Sequence, residues 1–235
     1  MKDIKDYSSK TLKGRNLAWL VATLVLDVLV LLVIAFHTAI DDLTPTRLAV
    51  IRASLTALLP IPVLILSSLI SSDHKAILVF WRLKHPLPGA RAFSVHAPDD
   101  HRIDLVKLKK NVGEFPVAER DQNSRWYGLY KQVDSDPSVV DSHKNYLLFR
   151  DIAAMSLLLV PALPLILYLS GVDSTRMLVS AAWFMGQYLV TAFAARTTGI
   201  RFVQNVLAVH ASRKVVGSKP AVSKGATPVN ERASP

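Results

Sequence analysis

Four long apolar runs constrain this chain more than any other feature. They cover about residues 17–40, 48–70, 152–169 and 177–195. Each has roughly the length of about 20 residues that a helix needs to cross a ~30 Å hydrocarbon layer. Asp27 is the one acid in the first run and Arg52 the one base in the second; the third and fourth carry no charge. Helices of a soluble bundle would keep a polar face, and these runs have almost none. Runs one and two are joined by DDLTPT and runs three and four by SGVDST. Links this short require antiparallel neighbours. The expected fold is therefore all-α transmembrane, four helices in two hairpins, with a small α+β cytoplasmic domain between the second and third. The expected divisions are 1–16, a basic tail; 17–71, the first hairpin; 72–149, the cytoplasmic domain; 150–197, the second hairpin; 198–214, an amphipathic cytoplasmic helix; and 215–235, a disordered tail.

Composition fits a membrane chain. Of 235 residues, 51% are hydrophobic and 20% charged, so a disordered or collagen-like chain is excluded. The chain has no cysteine, which removes disulfides, thiolate metal sites and cysteine nucleophiles together. A basic segment precedes the first run, as in a secretion signal. The run is too long for that role, lacks a small-residue cleavage site and is followed at once by a second run.

The distribution of Lys and Arg orients the spans. Residues 1–16 hold five basic residues against two acids, and 196–235 hold seven against one. Residues 72–149 hold twelve against ten, whereas Asp41, Asp42 and Asp173 lie in the hairpin links. Both termini and the central segment are expected in the cytoplasm, the chain being multi-pass in the cell inner membrane. Basic residues beside a bilayer are attracted to anionic headgroups, so the net charge of +10 does not by itself call for nucleic acid.

Within 72–149, AILVFWRL suits either a helical extension of the second run or a strand. Its Trp81 and Arg82 suit a lipid interface. KHPLPG is a turn, and ARAFSVHA is expected as a short strand with Phe93 and Val95 on one face. Asp99 and Asp100 are expected to cap a helix over HRIDLVKLKK, ended by Gly113. A second helix from near Pro116 to Val133 places Trp126, Leu129, Tyr130 and Val133 on one face. Pro137, behind a cap at Ser135 or Asp136, opens a helix running unbroken into the third span. The fourth span likewise continues outward, with Ile200, Val203, Val206, Leu207 and His210 as its apolar stripe.

An acid inside the bilayer is costly, so Asp27 needs a partner or a role. Alignment of the spans by their cytoplasmic ends puts Pro60, Pro161 and Gln187 close to its depth. Prolines free backbone carbonyls one turn earlier. The expected midplane layer thus holds an acid, an amide and loosened carbonyls, as a conduction path or proton site requires. The plainer alternative is interhelical glue through Gln187. Arg52 is expected to snorkel to the outer headgroups.

Two clusters lie outside the spans. His96, Asp99, Asp100, His101 and Asp104 are adequate metal ligands by type, but their spacing fits no known geometry and capping accounts for the aspartates. Arg102, Lys107, Lys109 and Lys110, with Trp126 and Tyr130, could hold an anionic nucleotide or oligonucleotide by charge and stacking. A solvated helix face explains the same lysines. No phosphate-binding loop, serine elbow, zinc-protease or dinucleotide motif occurs, so an enzyme is the least supported class, and no cofactor is implied.

The reading these features favour is a small homo-oligomeric channel or membrane-perturbing effector, regulated through its cytoplasmic domain by an anionic ligand or a protein partner. In layout alone it resembles effectors of bacterial antiviral defence. The alternative is a non-conducting membrane anchor or scaffold that recruits a cytoplasmic partner. A secondary transporter comes third, because the two hairpins share only a weak proline pattern.

Overall fold

The computed structural model describes residues 12–36, 70–169 and 172–213. Six α-helices are described: α1 (Leu12–Phe36), α2 (Ser72–Phe80), α3 (Leu105–Val112), α4 (Glu119–Lys131), α5 (Pro137–Leu169) and α6 (Ser174–Ser212). A 3-10 turn (Pro88–Arg91) and one turn of π-helix (Ala92–His96) link α2 to α3.

The long pair α5 and α6 organises everything else. α5 opens at Pro137, whose fixed φ and missing N–H suit a first turn. Asp136 Oδ1 accepts from the Ser138 backbone N–H and hydroxyl. From there the helix runs 33 residues, through Pro161 and Pro164. α6 is capped by Asp173, which accepts from the Arg176 N–H, and runs 39 residues. Each therefore has the unbroken course from polar segment to apolar run that its sequence implies. Gly199 lets α6 approach its neighbours closely: a Cβ there would sit 2.9 Å from both Phe80 and Tyr146.

The polar halves of α5 and α6 carry the helical domain. Its core joins Val79 and Phe80 of α2, Leu108 of α3, Trp126 and Leu129 of α4, and Phe202, Val203 and Val206 of α6. α1 packs along the other side of α5, with Leu20 and Leu24 against Ile152 and Met155. Asn16 Nδ2 donates to the Lys144 carbonyl at 2.7 Å. Lower-numbered residues of α1 thus meet lower-numbered residues of α5, and the two helices run parallel.

The expected fold needs correction on both counts. Among the described residues there is no strand, so the domain is all-helical rather than α+β. ARAFSVHA forms the 3-10 and π turns because Gln122, on α4, captures its backbone. Gln122 Oε1 accepts from the N–H groups of Phe93 and Ser94, both at 3.1 Å. Phe93 is buried and Val95 is 41% exposed, so the two do not share a face. α3 is capped not by Asp99 or Asp100 but by Asp104, which accepts from Val106 and Lys107.

Among the described residues two helices, α5 and α6, rather than four, are long and apolar enough to cross a membrane. Only 33% and 22% of their most apolar stretches are buried within the protein, unlike the core helices of a soluble domain. The apolar part of α1, Asn16–Leu31, is shorter. The expected second span, with Arg52 and Pro60, lies outside the described residues, as does the tail 215–235.

Candidate functional site

The helix period of α1 selects the site. Asn16, Leu20, Leu24 and Asp27 recur at helical spacing, and all four are buried. They form the stripe that faces α5 and α6. The stripe is apolar in its middle and polar at both ends, which is the unusual feature. Asn16 finds the Lys144 carbonyl, although its Oδ1 has no partner among the described residues.

Asp27 comes within reach of the Gln187 side chain of α6. Asp27 Oδ1 and Gln187 Oε1 both remain buried without a hydrogen-bond partner among the described residues. Two acceptors are thus left open on neighbouring side chains. Only a hydrogen-bond donor or a cation can satisfy them. In an apolar surround an unsatisfied acceptor costs about 1–3 kcal/mol, so an arrangement with two is not a neutral packing detail.

Asp27 follows Asn16 by eleven positions in a helix parallel to α5, which brings it level with Met155. That is about one turn past Asp151, the last charged residue before the apolar part of α5. Of the other residues expected in the layer, Pro161 is exposed on α5 and does not face Asp27. Pro60 lies outside the described residues.

One turn below, a second polar group closes the junction with the domain. Lys75 of α2 lies 3.0 Å from Asp151 Oδ1, each side chain being 4% exposed. Arg150 approaches the same oxygen at 3.0 Å. This cluster sets two cations on one carboxylate, and no feature of the sequence indicated that Lys75 and Asp151 would meet.

The residues expected to bind an anionic ligand are placed otherwise than a ligand would need. Arg102 forks onto Asp100 at 2.7 Å and donates to Asn205 at 3.1 Å. The Arg102 guanidinium holds the Asp100 carboxyl below the ordinary carboxylate range. Lys107 pairs with Asp104 and Lys109 with Glu114, on exposed side chains. Lys110 is exposed on the same helix. Trp126 and Tyr130 are 6% and 8% exposed and pack edge-on against Phe202. The Trp126 ring also touches the turn at Gly89, where a Cβ would sit 2.5 Å from it. Neither ring offers a free face on which a base could stack.

No group of three or more His, Asp or Glu side chains converges for a metal among the described residues. His96 is buried, and burial, reinforced by Arg91, pushes its imidazole down to about 4. Asp100 and Asp104 are taken by Arg102 and by the α3 cap. No family model, curated protein or solved structure matches the chain.

Proposed function

We propose that the chain is an inner-membrane protein in which α5 and α6 cross the bilayer as a hairpin, with the helical domain in the cytoplasm. Its function is to pass or sense a proton or small cation at Asp27 and Gln187, in an assembly of several copies. The carrying observation is the pair of open acceptors on these two side chains. An ionisable group at membrane depth with an unsatisfied oxygen is a functional-site candidate by default. One chain with so few spans encloses no pore, so a path would run between copies around a shared axis.

The orientation rests on charge. The uncharged stretch of α6 ends at Arg196, and that of α5 begins after Arg150 and Asp151. Basic flanks of this kind stay on the cytoplasmic side. The parallel packing of α1 on α5 supports an N-terminus on that side as well. α5 and α6 pass unbroken from the domain into their apolar halves, so a partner that moved the domain would move the spans.

A non-conducting anchor is the second reading, favoured by the buried Lys75–Asp151–Arg150 cluster, which ties the domain to the spans. The test is cation and proton flux into liposomes containing the full-length protein. Asp27→Asn is expected to reduce flux severalfold and Asp27→Leu to abolish it. Equal flux in all three forms would reduce Asp27 to interhelical glue, and no flux from the wild type would leave the anchor.

A further inference from the structure

A second site lies on the outside of the junction between the domain and α6, where a strained tryptophan stands beside three arginines. Trp81 follows α2 with φ 52°, in the left-handed region that bulky side chains avoid. Such strain persists only when the surroundings hold it, and it concentrates at functional positions. Three contacts hold Trp81. Its Nε1 donates to the Tyr188 hydroxyl at 3.1 Å, and that hydroxyl donates to the Leu78 carbonyl at 2.8 Å. Its ring meets Phe193 edge-on at 5.3 Å. The Arg196 guanidinium lies 5.8 Å from the ring centre.

The result is an indole fixed in place but 48% exposed, with Leu83 beside it 85% exposed and Phe193 55% exposed. An apolar, outward-facing rim that includes an exposed tryptophan is what a membrane–water boundary selects. Arg196 ends the uncharged stretch of α6, which places the rim at that boundary.

Arg82, Arg91 and Arg196 gather behind this rim. Arg82 pairs with Glu119 at 2.8 Å. Burial, then Arg82 and Arg196, disfavours the charge on Arg91, and Glu119 opposes them. Neither Arg91 nor Arg196 has an ion-pair partner among the described residues. Asp99, the next carboxylate, is felt at His96. Three guanidiniums therefore share two nearby carboxylates, Glu119 and Asp99, and only Arg82 is paired directly, which leaves an excess of positive charge.

We propose that Arg82, Arg91 and Arg196, gathered beside Trp81, form a binding site for the phosphate of an anionic lipid headgroup. Guanidinium groups match phosphate with paired N–H donors, and one phosphodiester would relieve the repulsion among them. Trp81, Leu83 and Phe193 would lie along the glycerol and upper acyl chains. This site rests on the membrane reading and gives it a lipid specificity.

The experiment uses the full-length protein in detergent and in vesicles. Native mass spectrometry counts retained phosphatidylglycerol against phosphatidylcholine, with inorganic phosphate as competitor. The wild type should retain phosphatidylglycerol selectively, and Arg91→Gln with Arg196→Gln should weaken retention by about fivefold per arginine. Lys107→Gln with Lys110→Gln, on the solvent face of α3, should change nothing. Helical content by circular dichroism checks the variants, and single Arg91→Gln serves if the pair fails to fold. Unchanged retention in Arg91→Gln, or equal retention of both lipids, overturns the proposal. Displacement by inorganic phosphate at similar concentration would assign the site to a free anion and overturn the lipid. Protein that does not float with vesicles would sink the membrane reading too. Flotation without lipid preference would sink the headgroup site alone.

Discussion

Lys75 Nζ stands 3.0 Å from Asp151 Oδ1, and both side chains are almost wholly buried where α2 crosses α5. The two residues are 76 positions apart, so the contact closes a long loop of chain over the domain. Removing two charges from water is expensive, and a buried pair is retained only with good geometry and further partners. Here Arg150 supplies the further partner.

That asymmetry makes the first prediction. Lys75→Met leaves Asp151 with Arg150, whereas Asp151→Leu takes the shared carboxylate from both Lys75 and Arg150. Removing the shared partner of such a buried group costs about 3–5 kcal/mol. Asp151→Leu should therefore lower the thermal midpoint in detergent much more than Lys75→Met. Equal losses would mean that Arg150 does not share the carboxylate.

The second prediction separates a structural Arg102 from a ligand-binding one. Its guanidinium bridges Asp100, which is 7% exposed, to Asn205 of α6. Arg102→Gln should destabilise the domain by about 1–3 kcal/mol, since Asp100 loses its charged partner. Lys110→Gln, on the exposed face, should stay within ~0.5 kcal/mol of the wild type. Chemical denaturation measures both.

What could be read from the sequence followed local periodicity. The unbroken courses of α5 and α6 were legible in the uncharged runs and in Pro137 behind its cap. The shared face of Trp126, Leu129, Tyr130 and Val133 was legible as a helical stripe, but periodicity does not say what a stripe meets. It meets Phe202 and the turn at Gly89, so the stripe belongs to the core. ARAFSVHA resembled a strand because Phe93 and Val95 alternate with small or polar residues. The deciding partner, Gln122, lies on a helix 29 residues away from Phe93. Asp27 stood out by charge alone, and Gln187 was within reach by span alignment. Lys75–Asp151 and the gathering of Arg82, Arg91 and Arg196 are tertiary events with no local signature.

Gly199 carries the third prediction. Its missing Cβ lets α6 lie against Phe80 and Tyr146, both buried rings with little room to move. Overpacking of this kind costs about 1–3 kcal/mol. Gly199→Ala should lower stability by that amount, whereas Gly186→Ala, with open space around its Cβ position, should not. Alanine is the better helix former, so Gly186→Ala should be neutral or slightly stabilising. Thermal midpoints of the two variants in the same detergent decide between close packing and generic helix propensity.

His96 gives the pH dependence. It is 4% exposed at the end of the π turn, and its backbone carbonyl accepts from Gln204 of α6. Burial, helped by Arg91 and then Arg196 and opposed by Asp99, pushes its imidazole from 6.5 down to about 4. The folded state therefore holds His96 neutral over a range where the unfolded chain protonates it. As pH falls, the unfolded state begins to take up the proton near 6.5 and the folded state only near 4. Stability attributable to His96 is thus fully present above 6.5, is lost as pH falls towards 4 and changes no further below that. A gap of this size corresponds to a loss on the order of 3 kcal/mol. His96→Gln keeps a polar side chain of similar size without a titrating ring, so it should flatten this part of the curve. Unfolding midpoints measured from pH 7.5 to 4 on both proteins test the assignment (about eight points suffice). Identical slopes for wild type and variant would place the acid sensitivity elsewhere in the domain.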